Sequence, residues 1–321
     1  MLQNFISSGC PKEALAEDNT FAVMRLDGPC SLSDAVSDVT QSIRVQLLGE
    51  DSLLGAHEVW QVENERVESG VTDDCIWRRS NSLQIAGYSD ELASDGNIEE
   101  AAYKAYQSLL EFIRQSPHPE LVRFWNYVPN INHGAGDSEN YKRFCTGRLQ
   151  AFSECDFHDL QFPAASAVGH YGKGLTVTAL TASAPADHHA NPRQVDAFKY
   201  PRQYGPSSPS FARATTVDLT ESRMCFISGT ASILGHSSVH RGDLKLQLYT
   251  TNDNILYLLK ETGFEREQIR TLRVYLRNRS DVRECERIVS QLYPNTKAIY
   301  LHADICRSDL LVEIECFCVA D

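Results

Sequence analysis

The sequence predicts an α+β fold built from two similar units, each a mixed β-sheet with helices packed on one face. Two observations carry this expectation. The order helix, strand, helix, strand, strand occurs twice along the chain, at comparable spacing. Each segment also has the pattern of its type: helical apolar spacing in the long segments, β-branched and aromatic runs in the short ones.

In the first unit, Ile98 to Arg114 reads as a helix with Asn97 as N-cap, and Leu121 to Val128 as a strand. Ser138 to Phe152 is a second helix, and Pro163 to Val168 and Leu175 to Ala182 are strands. In the second unit, Met224 to Ser228 is a short strand ending in a tight turn at Gly229-Thr230-Ala231. Asp243 to Glu261 is a helix whose apolar positions are Leu244, Leu248, Ile255, Leu258 and Leu259, with Gly263 as C-cap. Thr271 to Leu276 is a strand. Ser280 caps a helix from Asp281 to Leu292 that stops before Pro294. Lys297 to His302 and Leu310 to Val319 are the closing strands.

Between the units, Pro185 to Pro209 holds five prolines and reads as loop. The expected division is an N-terminal α+β domain over 1–185, a connecting segment over 186–209 and a C-terminal domain over 210–321. The first hundred residues are the least distinctive.

With 321 residues, 42% hydrophobic and 23% charged, the chain has a globular composition and room for two domains. No apolar run is long enough to span a bilayer. Met1 to Leu15 lacks a basic start followed by an apolar stretch, so no secretory signal is expected there and a cytoplasmic location is. A net charge of −13 without a basic stripe argues against nucleic acid. It also means that local arginines must hold any anionic substrate. The ten cysteines include no CxxC pair, which points to reduced, buried thiols rather than disulfides or zinc.

The chemistry concentrates near the end of the chain. A loop carrying His302, Asp304, Cys306 and Arg307 runs into an apolar strand with Glu313 and Glu315. A carboxyl desolvated on such a strand has a raised pKa and keeps its proton at neutral pH. The residues alone fit a half-solvated sheet edge equally well. Arg307 beside Cys306 favours a thiolate, and His302 is a conceivable partner. The corresponding first-unit strand, Leu175 to Thr181, has no carboxylate, so one active site per chain is expected, in the second unit. Arg143, Arg148, Arg202 and Arg213 are the other candidate anion binders, the last two in a Pro/Gly/Tyr-rich stretch. Gly169-His-Tyr-Gly-Lys-Gly174 lacks the Ser or Thr of a phosphate loop and reads as a turn. Asp187-His188-His189 lacks a further ligand at metal-site spacing, so no metal is expected.

Phe226-Ile-Ser-Gly-Thr-Ala-Ser-Ile233 and Leu310-Leu-Val-Glu-Ile-Glu315 resemble the YjgF/RidA-like α+β fold. From about residue 120 onward the chain resembles the chorismatases. Phe124-Trp-Asn-Tyr-Val-Pro-Asn-Ile-Asn132, Tyr141-Lys-Arg-Phe-Cys-Thr-Gly-Arg148, Tyr200-Pro-Arg-Gln-Tyr-Gly-Pro206 and Phe211-Ala-Arg-Ala-Thr215 carry that likeness. The resemblance implies two RidA-like units, the first degenerate, the second catalytic. It implies removal of the enolpyruvyl side chain of chorismate as pyruvate, with Glu313 as general acid. Arg148 and Arg213 would hold the carboxylates, and Tyr200 and Tyr204 would line the pocket. Gly229, Ala231 and Arg307 would complete the substrate contacts. A cysteine seven residues before the acid, as at Cys306, marks members of this family that make 3-hydroxybenzoate. The expected product is therefore 3-hydroxybenzoate, alone or with 4-hydroxybenzoate. No cofactor is implied, because the conversion is redox-neutral, and a monomer is expected, because two units in one chain can form the interface internally. Three other readings stand beside it: a hydrolytic chorismatase giving a dihydroxycyclohexadiene carboxylate, a RidA-like imine/enamine hydrolase, and a binding protein without catalysis. RidA-type hydrolases anchor their substrate through an arginine where this chain aligns Lys297, which weighs against that branch.

Overall fold

The computed structural model describes residues 2–7, 20–25, 40–42, 46–48, 57–63, 65–72, 74–157, 161–170 and 173–320. Strands β1 (Leu2–Ser7), β2 (Thr20–Arg25), β3 (Thr40–Ser42) and β5 (His57–Val62) make a four-stranded sheet, whereas β4 (Gln46–Leu48) joins the edge of the last sheet. The first unit begins with a meander of β6 (Glu68–Thr72), β7 (Cys75–Arg79) and β8 (Leu83–Asp90). Helix α1 (Ile98–Gln115), β9 (Glu120–Pro129), helix α2 (Asn140–Glu154), β10 (Ala164–His170) and β11 (Leu175–Ala182) follow. Their six-stranded sheet has the order β10-β9-β11-β8-β7-β6, in which only β9 and β10 are parallel.

The second unit comprises β12 (Ala186–His189), β13 (Ala214–Leu219), β14 (Ser222–Ala231), the small hairpin β15 (Ile233–Leu234) and β16 (Ser237–Ser238), and α3 (Leu244–Thr262). It closes with β17 (Ile269–Leu276), α4 (Val282–Leu292), β18 (Lys297–His302) and β19 (Val312–Ala320). The sheet order is β12-β13-β14-β19-β17-β18-β4. Without β4, it repeats the first sheet strand for strand, with β17 and β18 the parallel pair. The duplication read from the middle and end of the chain thus extends further: β6 to β8 correspond to β12 to β14.

Local chemistry explains most boundaries. Asp243 caps α3 by accepting from the Leu246 amide (2.9 Å), and Gly263 ends it at φ 73°. Leu248, Ile255, Leu258 and Leu259 pack from this helix onto Cys316 and Cys318 of β19. Four expectations need correction. Gly229-Thr230-Ala231 is not a turn; it continues β14 through an irregularity in its pairing with β19 between Ile227 and Thr230. A β-bulge and a turn draw on the same small residues, so composition could not separate them. Ser280 does not cap α4: it sits in a 3₁₀ turn, Arg279–Asp281, and its hydroxyl bonds to the Asp281 carboxylate. Asn97 precedes α1 but spends its side-chain oxygen on the Ser94 amide (2.7 Å). Part of the segment read as loop forms β12, where the imidazoles of His188 and His189 bond to Thr215 (3.0 Å) and Thr216 (2.8 Å). Tyr171 and Gly172, in the segment read as a turn, lie outside the described residues.

The first and second units meet through β10 and β14, and a buried ionic cluster lies beside that joint. Arg273 of β17 binds Glu58 of β5 (2.5 Å) and stands 3.7 Å from Glu315 of β19. Arg123 of β9 is 3.2 Å from Glu315 on its other side, and the Trp125 indole donates to the same carboxylate (3.0 Å). Removing one member of such a cluster leaves the others charged and dry. Arg273→Met, of similar length but uncharged, is expected to destabilise the protein by about 3–5 kcal/mol. The midpoint of urea unfolding measures this; an unchanged midpoint would show that the cluster contributes nothing to stability.

Candidate active site

A pocket of about 370 Å³ opens between the units, with Glu313 in its wall. Glu313 and Glu315 project from the same face of β19, and both are buried, 4% and 5% exposed. Their surroundings differ. Burial alone would raise the pKa of Glu315, but Arg123 and Arg273, with hydrogen bonds from Ser166 and Trp125, together outweigh it and hold that group below its ordinary value. Glu313 has no such pair of cations. Burial, reinforced by the charge on Glu315, pushes it up to about 8, against a smaller opposing pull from Arg123. It is therefore a protonated acid at neutral pH, as the apolar strand suggested.

Gly229 gives that acid its place. The Glu313 carboxyl lies where a side chain at 229 would have to go, so the position admits no Cβ while the acid stays put. The Gly229 amide donates to Ser166 Oγ of β10 (2.9 Å), and Ser166 also accepts from Arg123. The irregular stretch of β14 is thus pinned to the first unit directly beside the acid.

The remaining predicted residues converge from three segments. Cys306 and Arg307 come from the loop between β18 and β19, Tyr200, Tyr204 and Arg213 from the segment between β12 and β13, and Gly229 and Ala231 from β14; all of them line the pocket. Arg213 donates to the Val195 carbonyl (2.7 Å) and the Tyr200 hydroxyl (2.8 Å). Arg307 lies over the Tyr204 ring at 4.0 Å and donates to the His236 carbonyl (2.9 Å). Among the described residues neither guanidinium is paired with a carboxylate, so both keep charge available for an anion.

Arg148 is different. It is buried on α2, with Nη2 3.9 Å from Cys145 Sγ and its guanidinium over Phe144, and it does not line the pocket. Tyr141 and Lys142, about two helical turns earlier on α2, are the residues of that helix that do. The reading that placed Arg148 on the substrate took the right helix and the wrong turn. Arg143 and Arg202 are likewise elsewhere, Arg143 on the Asp95 carbonyl (2.9 Å) and Arg202 on Asp137.

The thiolate expectation for Cys306 fails. Burial and the Glu313 charge raise its thiol to about 12, and the lowering by Arg307 is weaker than either. Arg307 follows Cys306 in sequence but turns its guanidinium toward Tyr204 and His236. His302 does not line the pocket either; its ring meets the Arg277 carbonyl (3.1 Å) and Arg279. Lys297 is exposed on β18, away from the pocket. Sequence reasoning missed Phe211, Gln194, Lys142 and Arg241 of the lining, as well as Ser166 behind the acid. Phe211 and Lys142 stood in the motifs; nothing local marked the others. Among the described residues, no helix is long and apolar enough to cross a membrane.

A family model described as chorismatase FkbO/Hyg5-like, N-terminal, matches residues 58–181. A 3-hydroxybenzoate synthase from Streptomyces hygroscopicus is 34% identical over 274 residues, 80% of each chain. A chorismatase from the same organism is 36% identical over 270 residues, 80% of this chain and 78% of that one. A crystal structure of a chorismatase aligns over 99% of this chain and 98% of its own, with a TM-score of 0.85 and 29% identity.

The electrostatics make a direct prediction. The Glu313 carboxyl, followed by ¹³C NMR in glutamate-labelled protein and assigned with Glu313→Gln, is expected to titrate near pH 8. Glu315→Gln removes the like charge and leaves Arg123 uncompensated, so the midpoint moves to lower pH. A parent midpoint below pH 5, the range of an ordinary exposed carboxyl, contradicts the buried-acid reading.

Proposed function

The chain belongs to the chorismatase family, and we propose that it converts chorismate to pyruvate and 3-hydroxybenzoate, alone or with 4-hydroxybenzoate. The observation that carries this reading is the neutral, buried Glu313 beside a pocket lined by Arg213 and Arg307, neither of which is paired with a carboxylate among the described residues. Chorismate is a dianion with an enolpyruvyl ether, and its methylene carbon is weakly basic. A carboxyl that holds its proton at neutral pH is suited to protonating that carbon. Glu313 gives up its proton, a C–H bond forms, and the ether carbon becomes an oxocarbenium ion. Arg213 and Arg307 hold the two carboxylates, with Tyr200 and Tyr204 against the ring. Gly229 and Ala231 form the wall beside the acid.

The neighbouring ring hydroxyl captures the oxocarbenium ion and gives its proton to the Glu313 carboxylate. The captured oxygen then leaves its ring carbon and the ether oxygen leaves the ketal carbon, which releases pyruvate. The ring becomes aromatic as the carbon bearing the ether oxygen loses its proton and that oxygen gains one. Chorismate equals hydroxybenzoate plus pyruvate in atoms and electrons, so no redox cofactor enters the balance. Capture by water gives instead a dihydroxycyclohexadiene carboxylate. Cys306 acts from its thiol form, because its surroundings disfavour the thiolate. Its place is to deliver the proton that the former ether oxygen takes up, and the proton leaving the ring carbon restores the thiol. In this reading residues 1–185 support and wall the site, 186–209 supply the tyrosines, and 210–321 carry the acid. Because one chain supplies both faces of the pocket, a monomer suffices. The exposed position of Lys297 weighs against the imine hydrolase reading.

Glu313→Gln is expected to lower pyruvate release by about 10²–10⁴-fold with the melting temperature preserved; full activity removes the assigned acid. Pyruvate release should be constant below pH 8 and decline above it, with the slope of one proton, because only the protonated form can donate. A rate that rises through that range assigns Glu313 as a base instead. Cys306→Ala should divert product from hydroxybenzoate to the non-aromatic diol, read by chromatography after incubation with chorismate. An unchanged hydroxybenzoate yield rules out the thiol's part.

A further inference from the structure

The loop between β18 and β19 carries Cys306 and Arg307, yet it has little regular structure of its own. Among the described residues, one side chain from outside makes more hydrogen bonds to it than any other. Arg277 follows the last residue of β17, and its guanidinium enters the loop from behind. Nε donates to the Leu310 carbonyl (2.8 Å). Nη1 donates to Asp304 Oδ1 (2.5 Å) and Asn132 Oδ1 (3.1 Å). Nη2 donates to the carbonyls of Ile305 (2.9 Å) and Arg307 (3.0 Å). All five N–H groups of the guanidinium are thereby used. The two carbonyls on Nη2 flank Cys306, so one nitrogen fixes the backbone on both sides of the thiol.

The first unit completes the clamp. Asn132, which accepts from Arg277, donates its own amide to the Ile305 carbonyl (3.1 Å). The Gly169 amide at the end of β10 donates to the Asp304 carbonyl (2.6 Å). A Cβ at Gly169 would come within 2.8 Å of Asp304 Cβ, so this approach depends on glycine. Glu313 does not share the arrangement. It sits within β19, paired to Ala231 on one side and Tyr275 on the other, and is held by the sheet.

We propose that Arg277, which does not line the pocket, is a positioning residue that sets the product of the reaction by holding Cys306 and Arg307 in place. The inference rests on the chorismatase reading and separates two functions that reading leaves joined. The acid is placed by the sheet and governs release of pyruvate; the thiol is placed by Arg277 and governs aromatisation. Lysine cannot substitute, because a compact ammonium with three donors cannot reach five acceptors spread around a planar fork.

The test compares the parent chain with Arg277→Lys, measuring pyruvate release and the hydroxybenzoate-to-diol ratio together. At saturating chorismate, where weaker binding by a displaced Arg307 raises KM but is not read, pyruvate release is expected to fall less than about threefold, while the ratio falls about 10–100-fold, the penalty of a misplaced reacting group. A purely structural role would lower both outputs in the same proportion, and that result, or an unchanged ratio, overturns the proposal. Asn132→Ala removes one acceptor and one donor of the clamp without touching the guanidinium. It should shift the ratio in the same direction by a smaller factor, and so decides the matter if the lysine variant does not fold; an unchanged ratio there overturns it. A parent enzyme that makes no hydroxybenzoate from chorismate would overturn the chorismatase reading itself, which sets that failure apart from a failure at Arg277 alone.

Discussion

Two carboxylates on one face of a buried strand cannot both be ionised cheaply, and the arrangement of Arg123 and Arg273 decides which one is. Both arginines address Glu315, at 3.2 and 3.7 Å. Its charge is compensated, and the proton stays on Glu313, where burial and the neighbouring anion act in the same direction. Reversing the assignment would need the cations two residues further along the strand. The pair resembles other carboxyl dyads in which unequal surroundings separate the two pKa values and so assign the roles of acid and anion. Here the anion points away from the pocket lining into the ionic cluster, and the acid points into the pocket.

The duplicated fold supplies those cations. Arg123 comes from β9 and Arg273 from β17, the equivalent strands of the two units. The strands approach closely enough that the hydroxyls of Tyr127 and Tyr275 lie 3.4 Å apart, and these two tyrosines occupy the same register position in their sheets. By the same register, Thr176 in the first unit stands where Glu313 stands in the second, and Thr178 where Glu315 stands. The first unit thus has hydroxyls in place of acids. It contributes a counterion, the Ser166 contact behind Gly229, and Asn132 for the loop, so its role lies in shaping the other unit's site.

The order of elements, most strand and helix limits from residue 98 onward, and the burial of the Glu313 carboxyl were legible in the sequence, because each depends on local pattern. The caps of α3 are an example: Asp243 and Gly263 act on backbone within a few residues. What was illegible depends on partners distant along the chain. Gly229-Thr230-Ala231 reads as a turn until β19 is laid beside it. Arg307 looks like an activator of Cys306 because the two are adjacent in sequence, but consecutive side chains leave an extended backbone in different directions. Arg148 had the composition of an anion binder, and only the orientation of α2 shows that Tyr141 occupies the pocket wall instead. Arg277 had no signal at all, since its partners lie in a loop some thirty residues later and on the far unit.

An acidic protein, net −13, that takes up a dianion would seem to have its field set the wrong way. Screening limits the penalty: charges on the outer surface act weakly beyond about 8–10 Å at physiological salt. Inside the pocket the balance is local, and the cations there serve two ends. In the proposed reading they offset the substrate's charge, and they stand on the tyrosine and loop walls rather than behind Glu313. The substrate's carboxylates, brought near the acid, favour its protonated form by the same like-charge effect as Glu315. Placing Arg213 or Arg307 against Glu313 instead would bind the anion equally well and strip the acid of its proton. Under the proposed function, substrate binding and proton retention are compatible because the guanidinium groups and the acid occupy different walls.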